Sequence, residues 1–272
     1  MNEQSAIAII DSGVGGLTVA REVMRQLPRE KIIYFGDNAR CPYGSRSPDE
    51  IRQFSNEMIQ YVFRFPVKAL VIACNTAAAV VLEEAKNRLD VPVLGVIEPG
   101  ARAAISASRN GRIGVIGTEM TIRTAAYERA LRRINPQLYV VGKACPAFVP
   151  LVEQQQLHTE EAAETVRLTL SALCQEQLDT LILGCTHYPL LAPLIQRALG
   201  EEISLISSAE ETARELSALL SMRELHAPQY HDWPRHQFFT SGDEQVFREI
   251  GEAWLDCPLD VTRIDLPVAL NR

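Results

Sequence analysis

The chain has 272 residues, 47% of them hydrophobic and 22% charged, a balance that fits a globular protein with room for two compact domains. Its formal net charge of −7 argues against nucleic acid as the main partner and against docking to an anionic membrane, although converging N–H groups and hydroxyls can still hold a small anion. No apolar run approaches the roughly 20 residues that cross a bilayer, and the polar start Met1–Ser5 is not a signal peptide, so a cytoplasmic protein is expected.

Short apolar runs rich in Val and Ile alternate with longer amphipathic stretches. In chain order the strand-like runs are Ala6–Ile10, Lys31–Gly36, Ala69–Ala73, Val91–Val96, Arg112–Ile116, Leu138–Gly142, Thr180–Leu183 and Ile203–Ile206. Most are apolar throughout, as parallel strands buried on both faces are. Helical patterns fill the gaps, for example Leu17–Leu27, Asp49–Phe63, Ala77–Leu89 and Glu160–Gln175. This rhythm predicts a doubly wound α/β architecture with parallel sheets and right-handed crossovers. The C-terminal part is less regular. Ala209–Leu220 reads as a helix and Ser221–His236 as a loop with Pro228 and Pro234; Glu244–Leu255 reads as a helix between Gln237–Thr240 and Asp260–Leu266, which could be strands.

The sequence echoes itself. Ile7-Ala8-Ile9-Ile10-Asp11-Ser12 resembles Ile113-Gly114-Val115-Ile116-Gly117-Thr118, an offset of 113 − 7 = 106. Ala69–Thr76 resembles Thr180–His187 in the same order, an offset of 185 − 74 = 111 between their cysteines. Chance likeness between buried strands accounts for the apolar parts, but not for a Cys followed by polar residues in each copy. Two similar α/β domains related by pseudo-two-fold symmetry are expected, with the active site in the cleft between them. The expected division is 1–97 plus 208–272 for the first and 98–207 for the second.

Six cysteines are present: Cys41, Cys74, Cys145, Cys174, Cys185 and Cys257. None forms a Cys-x-x-Cys pair, which removes the zinc-ribbon and thioredoxin-type patterns, and a disulfide framework does not suit a cytosolic chain of this size. Most are expected to be small buried hydrophobes. Two stand out by position, because ligands of open α/β sheets bind beyond the carboxyl ends of the strands. Polar clusters stand there: Asp11-Ser12, Cys74-Asn75-Thr76, Thr118 with Thr121, and Cys185-Thr186-His187. Each precedes a helical pattern, where free N–H groups favour anions and a thiol is expected to have a lowered pKa.

Two thiols facing each other across one cleft suit the inversion of a stereocentre, which needs a base on one face and an acid on the other. Rival readings account for fewer residues. Gly13-Val14-Gly15 with Asp37 imitates a dinucleotide fingerprint, but Thr18 replaces the third glycine and no Lys-Ser or Lys-Thr makes a phosphate loop. A Cys185–His187 hydrolase or transferase leaves Cys74 without a role. A redox disulfide lacks a neighbouring resolving cysteine. A Schiff base would need one of Lys31, Lys68, Lys86 or Lys143, none of which lies in a strand-end cluster. An amino-acid binding module would use the same cleft without reactive thiols.

The blocks Asp11-Ser12-Gly13-Val14-Gly15-Gly16-Leu17-Thr18, Arg40-Cys41-Pro42-Tyr43-Gly44, Cys74-Asn75-Thr76-Ala77 and Gly184-Cys185-Thr186-His187-Tyr188-Pro189 resemble the signatures of the glutamate racemases, within the wider aspartate/glutamate racemase family. They occur in the family's order, and Ala78 departs from it where Ser or Thr is expected. The resemblance implies interconversion of L- and D-glutamate without pyridoxal phosphate, other cofactor or metal, supplying D-glutamate for peptidoglycan; a related aspartate racemase is the alternative. It also implies a small-molecule substrate as partner and a homodimer.

By the same resemblance, Cys74 takes the α-proton from the D isomer and Cys185 from the L isomer. Asp11, His187 and Glu153 assist. Ser12, Pro42, Tyr43, Gly44, Asn75, Thr76, Thr118, Thr121 and Thr186, with Asp11 and His187, surround the substrate. Read from the residues alone, Asp11 could instead cap a helix, Glu153 could be a solvated helix residue, and Tyr43 a core aromatic.

Overall fold

The computed structural model describes residues 3–228 and 233–266. Positions 1–2 and 267–272 of the expected first domain, and 229–232 of the expected loop, lie outside the described residues. The strands are β1 (Ala6–Asp11), β2 (Ile32–Gly36), β3 (Val67–Ile72), β4 (Val93–Gly95), β5 (Arg112–Gly117), β6 (Tyr139–Ala144), β7 (Thr180–Gly184), β8 (Ser204–Ile206), β9 (Gln237–Thr240) and β10 (Val261–Arg263). The helices are α1 (Leu17–Gln26), α2 (Pro48–Val62), α3 (Asn75–Arg88), α4 (Ile97–Ala107), α5 (Glu119–Arg123), α6 (Ala126–Ile134), α7 (Phe148–Glu153), α8 (Glu160–Leu170), α9 (Ala192–Leu199), α10 (Ser208–Met222) and α11 (Glu244–Leu255).

The strands form two parallel sheets, ordered β10-β9-β2-β1-β3-β4 and β6-β5-β7-β8. The order β2-β1-β3-β4 recurs as β6-β5-β7-β8, so the two sequence echoes occupy matching places. The apolar runs become strands because both faces are covered: every residue of β1, β2 and β3 is buried. Each fully buried Ile contributes about 1.5–3 kcal/mol. The chain passes from the first sheet to the second through α4 and returns through α10. Ala101, Ala104, Ala213 and Leu216 of these helices join one core with Ile113 and Ile182 of the second sheet. A second core packs Phe148, Val166 and Ile195 against Leu181 and Leu183.

Several boundaries differ from the sequence reading. The helix expected over Glu160–Gln175 ends at Leu170 and tightens into a 3-10 turn over Ser171–Gln175; Leu170, which caps the turn, and Leu173 within it are both buried, since the tighter winding places residues three apart on one side. The run Val91–Val96 shortens to β4, because Pro92 has no N–H for the ladder and Val96 caps α4. Asp260–Leu266 contracts to β10. Strand β6 lies at an edge and is nowhere fully buried. Among the cysteines only Cys74, Cys145 and Cys185 are buried; Cys174 is exposed, and all six are free thiols. No helix among the described residues is long and apolar enough to cross a membrane.

Register brings the polar clusters to corresponding edges. Asp11 pairs with Gly36 across β1 and β2, and the Ala73 N–H donates to the Ile10 carbonyl, which sets Cys74 just past Asp11. In the second sheet Gly117 pairs with Gly184, so Thr118 and Cys185 leave their strands side by side.

Candidate active site

Both edges meet around one small, nearly closed pocket. Ser12, Cys74, Asn75 and Thr76 line it from the first sheet, with Cys41, Pro42, Tyr43 and Gly44 from the loop after β2. Thr118, Val149, Cys185, Thr186 and His187 line it from the second. The approach is close enough to dictate glycine twice. A Cβ on Gly15 would lie 2.4 Å from Thr186 Oγ1 and 2.5 Å from His187 Nδ1, and one on Gly44 would lie 2.5 Å from Thr118 Cβ. Thr18, in the first turn of α1, also donates to the Thr186 carbonyl at 3.2 Å.

Cys74 is the N-cap of α3. Its sulfur accepts from the Ala77 N–H at 3.4 Å and lies 3.4 Å from Ser12 Oγ. The sequence reading expects such a thiol to have a lowered pKa; the structure reverses that. Burial and the nearby Asp11 carboxylate push Cys74 up to about 12, outweighing the help from Ser12 and Ala77. Cys74 is therefore held as a thiol at neutral pH.

Asp11 is wholly buried and does not cap a helix. Its carboxylate accepts from the Gly13 N–H at 3.1 Å and from Thr186 Oγ1 at 3.3 Å. Burial raises its pKa to about 6, against the pull of His187 and of the N–H groups of Gly13 and Gly16. It sits behind Ser12 and Thr186 rather than on the pocket wall.

Around the other thiol a chain of polar groups runs outward. Cys185 Sγ lies 3.8 Å from His187 Nδ1, His187 Nε2 lies 3.1 Å from Glu153 Oε1, and the Cys41 thiol donates to the same oxygen at 3.3 Å. Burial disfavours a charged imidazole, but hydrogen bonds with Cys185 and Glu153 and the charge of Asp11 prevail, raising His187 to about 10. Glu153 ends α7 half-buried; burial resists its ionisation, yet His187 and Cys41 hold its pKa below the usual value. It is thus no mere solvated helix residue. A buried imidazolium consequently faces Cys185.

Hydroxyls and amides complete the wall. Thr76, Thr118 and Thr121 bond one another at 2.8, 3.1 and 3.2 Å, with Thr121 behind the lining. Tyr127 donates to Asn75 Oδ1 at 2.6 Å, while the buried Asn75 Nδ2 has no partner. Tyr43 lines the pocket through its ring, since its hydroxyl donates to Asp37. Asp37 also receives Arg40 at 2.7 Å and Ser241, just past β9, at 2.6 Å.

Cys41, Val149 and Tyr127 were not among the expected site residues. Cys41 could have been found, because it stands inside the Arg40–Gly44 block; Val149 and Tyr127 carry no local signal.

A family model for Asp/Glu/hydantoin racemases matches residues 7–216. A glutamate racemase of Exiguobacterium sibiricum is 52% identical over 261 residues, 96% of either chain. The crystal structure of a glutamate racemase isoform from Bacillus anthracis superimposes with a TM-score of 0.95 at 49% identity, covering 98% of this chain and 100% of that one. A glutamate racemase from Francisella tularensis, solved in complex with D-glutamate, gives 0.90 at 31% identity, covering 96% and 98%.

Proposed function

The chain belongs to the Asp/Glu/hydantoin racemase family, and from that premise we propose that it interconverts L- and D-glutamate by two-base proton transfer between Cys74 and Cys185. The carrying observation is that these buried thiols, one from each sheet, line the same pocket. The relatives that bear the name glutamate racemase, and the D-glutamate complex among the similar structures, support glutamate as substrate.

The electrostatics supply a working order. With the L isomer bound, Cys185 acts as a thiolate, takes the α-proton and becomes a thiol, with the imidazolium of His187 facing the charge that is given up. Cys74, kept protonated by burial and by Asp11, delivers its proton to the opposite face. The reverse reaction exchanges these roles. A thiolate is a far weaker base than the carbanion it generates, so the intermediate must be stabilised. The unpartnered Asn75 Nδ2 is a donor available to the substrate carboxylates, and the Thr76 and Thr118 hydroxyls become donors by giving up their bonds to each other and to Thr121.

The division at 1–97 plus 208–272 and 98–207 belongs to the same reading; the α4 and α10 crossings between the sheets support it. A cytoplasmic homodimer supplying D-glutamate for peptidoglycan is likewise what family membership supports. Purified protein incubated in D2O with each enantiomer tests the activity. Glutamate should racemise with deuterium entering the α position, and aspartate should turn over far more slowly. Faster turnover of aspartate would reassign the substrate, and activity unchanged in both Cys74→Ala and Cys185→Ala would end the two-base reading.

A further inference from the structure

We propose that Cys41, Glu153 and His187 form an inhibitory binding site for a borderline-soft divalent cation of the Zn2+ type, at the outer end of the chain of groups behind Cys185. Each residue offers one ligand atom, and the three atoms lie within 4.8 Å of one another. Cys41 Sγ and His187 Nε2 stand 3.3 and 3.1 Å from the same Glu153 oxygen. Tetrahedral zinc with bonds of about 2.0–2.3 Å spaces its N, O and S ligands roughly 3.3–3.7 Å apart, so small side-chain shifts suffice.

Three further features support the site. The imidazole is already oriented, because Nδ1 faces Cys185 and leaves Nε2 for the cation, the arrangement in which the second ring nitrogen is held by an outer partner. Gly13 keeps the neighbouring space open: a Cβ there would lie 3.3 Å from Cys41 Sγ and 3.4 Å from Glu153 Oε1. An entry path exists too, since the Glu153 side chain is 33% exposed. Neither catalytic thiol competes. Cys74 is engaged with Ser12 and Ala77, and Cys185 stands at the other ring nitrogen.

Binding forms metal–sulfur, metal–nitrogen and metal–oxygen bonds and releases the Cys41 thiol proton and the His187 Nε2 proton to solvent. No oxidation is involved. It fixes the imidazole, occupies the Glu153 oxygen and clamps the Cys41 end of the Pro42–Gly44 wall to His187 on the opposite wall, so the pocket that both line can no longer open for substrate. This inhibitory consequence rests on the racemase reading; the binding itself does not.

Titration of the metal-free chain with Co2+ tests binding by spectroscopy. The expected result is one equivalent bound with a thiolate-to-cobalt charge-transfer band, which Zn2+ displaces. The band should vanish in Cys41→Ser and persist in Cys74→Ser, whose three ligands are intact. Zn2+ should inhibit racemisation reversibly toward EDTA, and Cys41→Ser should raise the half-inhibiting concentration by about tenfold or more. No band in the wild type, or a band that survives Cys41→Ser, overturns the site. A band in a chain that racemises nothing keeps the site and overturns the racemase reading instead.

Discussion

Thr76 and Thr118 join the two sheets at the pocket wall through a 2.8 Å hydrogen bond between their hydroxyls. One stands in the first turn of α3, the other caps α5, and both line the pocket. The contact that closes the site is thus made by groups able to bind substrate. A hydrogen bond to a charged partner contributes about 1.5–3 kcal/mol, so Thr76→Val and Thr118→Val should each raise KM for glutamate by roughly tenfold or more. The double variant should cost less than the product of the two, because the hydroxyls share one network. Strictly multiplicative effects would show that they act separately.

The two thiols are assigned to opposite enantiomers, and isotope wash-out separates them. Cys185→Ala should exchange the α-proton of D-glutamate alone, by way of Cys74. Cys74→Ala should exchange that of L-glutamate alone. Both should lose racemisation. Exchange of the same enantiomer in both variants would refute the assignment. Enantiomers have equal free energy, so kcat/KM must match in the two directions for every active variant. Any asymmetry between Cys74 and Cys185 can appear only in kcat and KM separately.

Glu153→Gln removes a negative charge 3.1 Å from His187. That charge helps hold the imidazolium at about 10, so its loss lowers the His187 pKa and the charged form disappears at lower pH. The alkaline limb of the kcat/KM profile should move down by about one unit or more. A limb that stays in place would exclude His187 as the group that titrates.

In Asp11, unlike His187, the fold disfavours the charged form. Its folded-state pKa of about 6 exceeds the ordinary 3.8, so its contribution to stability is fully present below 3.8 and is lost as pH rises through 6. The penalty at higher pH is on the order of 3 kcal/mol. Asp11→Asn should therefore melt higher than the wild type at pH 8, with the advantage shrinking below pH 6. Its Cys74 should also alkylate faster at a fixed pH, since Asp11 raises that thiol's pKa. A melting advantage independent of pH would contradict the burial argument.

Gly15→Ala should reduce activity by at least about a hundredfold, because a Cβ 2.4 Å from Thr186 Oγ1 and 2.5 Å from His187 Nδ1 must displace the segment that carries Cys185. Near wild-type kinetics would mean that the loop yields without moving the thiol.

The strand-end clusters were legible in the sequence because a buried parallel strand is an apolar run, and whatever polar residues follow it stand at the binding edge. Asp11, Cys74, Thr118 and Cys185 were located on that ground. The state of Cys74 was not legible. Position at a helix N-terminus lowers a thiol's pKa, but burial and a carboxylate on the neighbouring strand raise it, and both depend on packing. Tyr127 was invisible for a similar reason: it reaches Asn75 across 52 positions of chain, and nothing in its local sequence records that. The Glu160–Gln175 helix was misjudged at its end because apolar residues spaced by three fit either winding.

Ser241, through its 2.6 Å bond to Asp37, ties the loop of Pro42–Gly44 to a strand pair formed near the end of the chain. During synthesis the first sheet can acquire β1 to β4 early, but its β2 edge stays open until residue 240 has left the ribosome. Until then the Tyr43 wall lacks one of its supports. The finished pocket therefore waits on a segment 204 positions after the aspartate it anchors, and a chain cut before residue 237 would expose an unpaired strand edge, the kind of surface that quality control and aggregation both recognise.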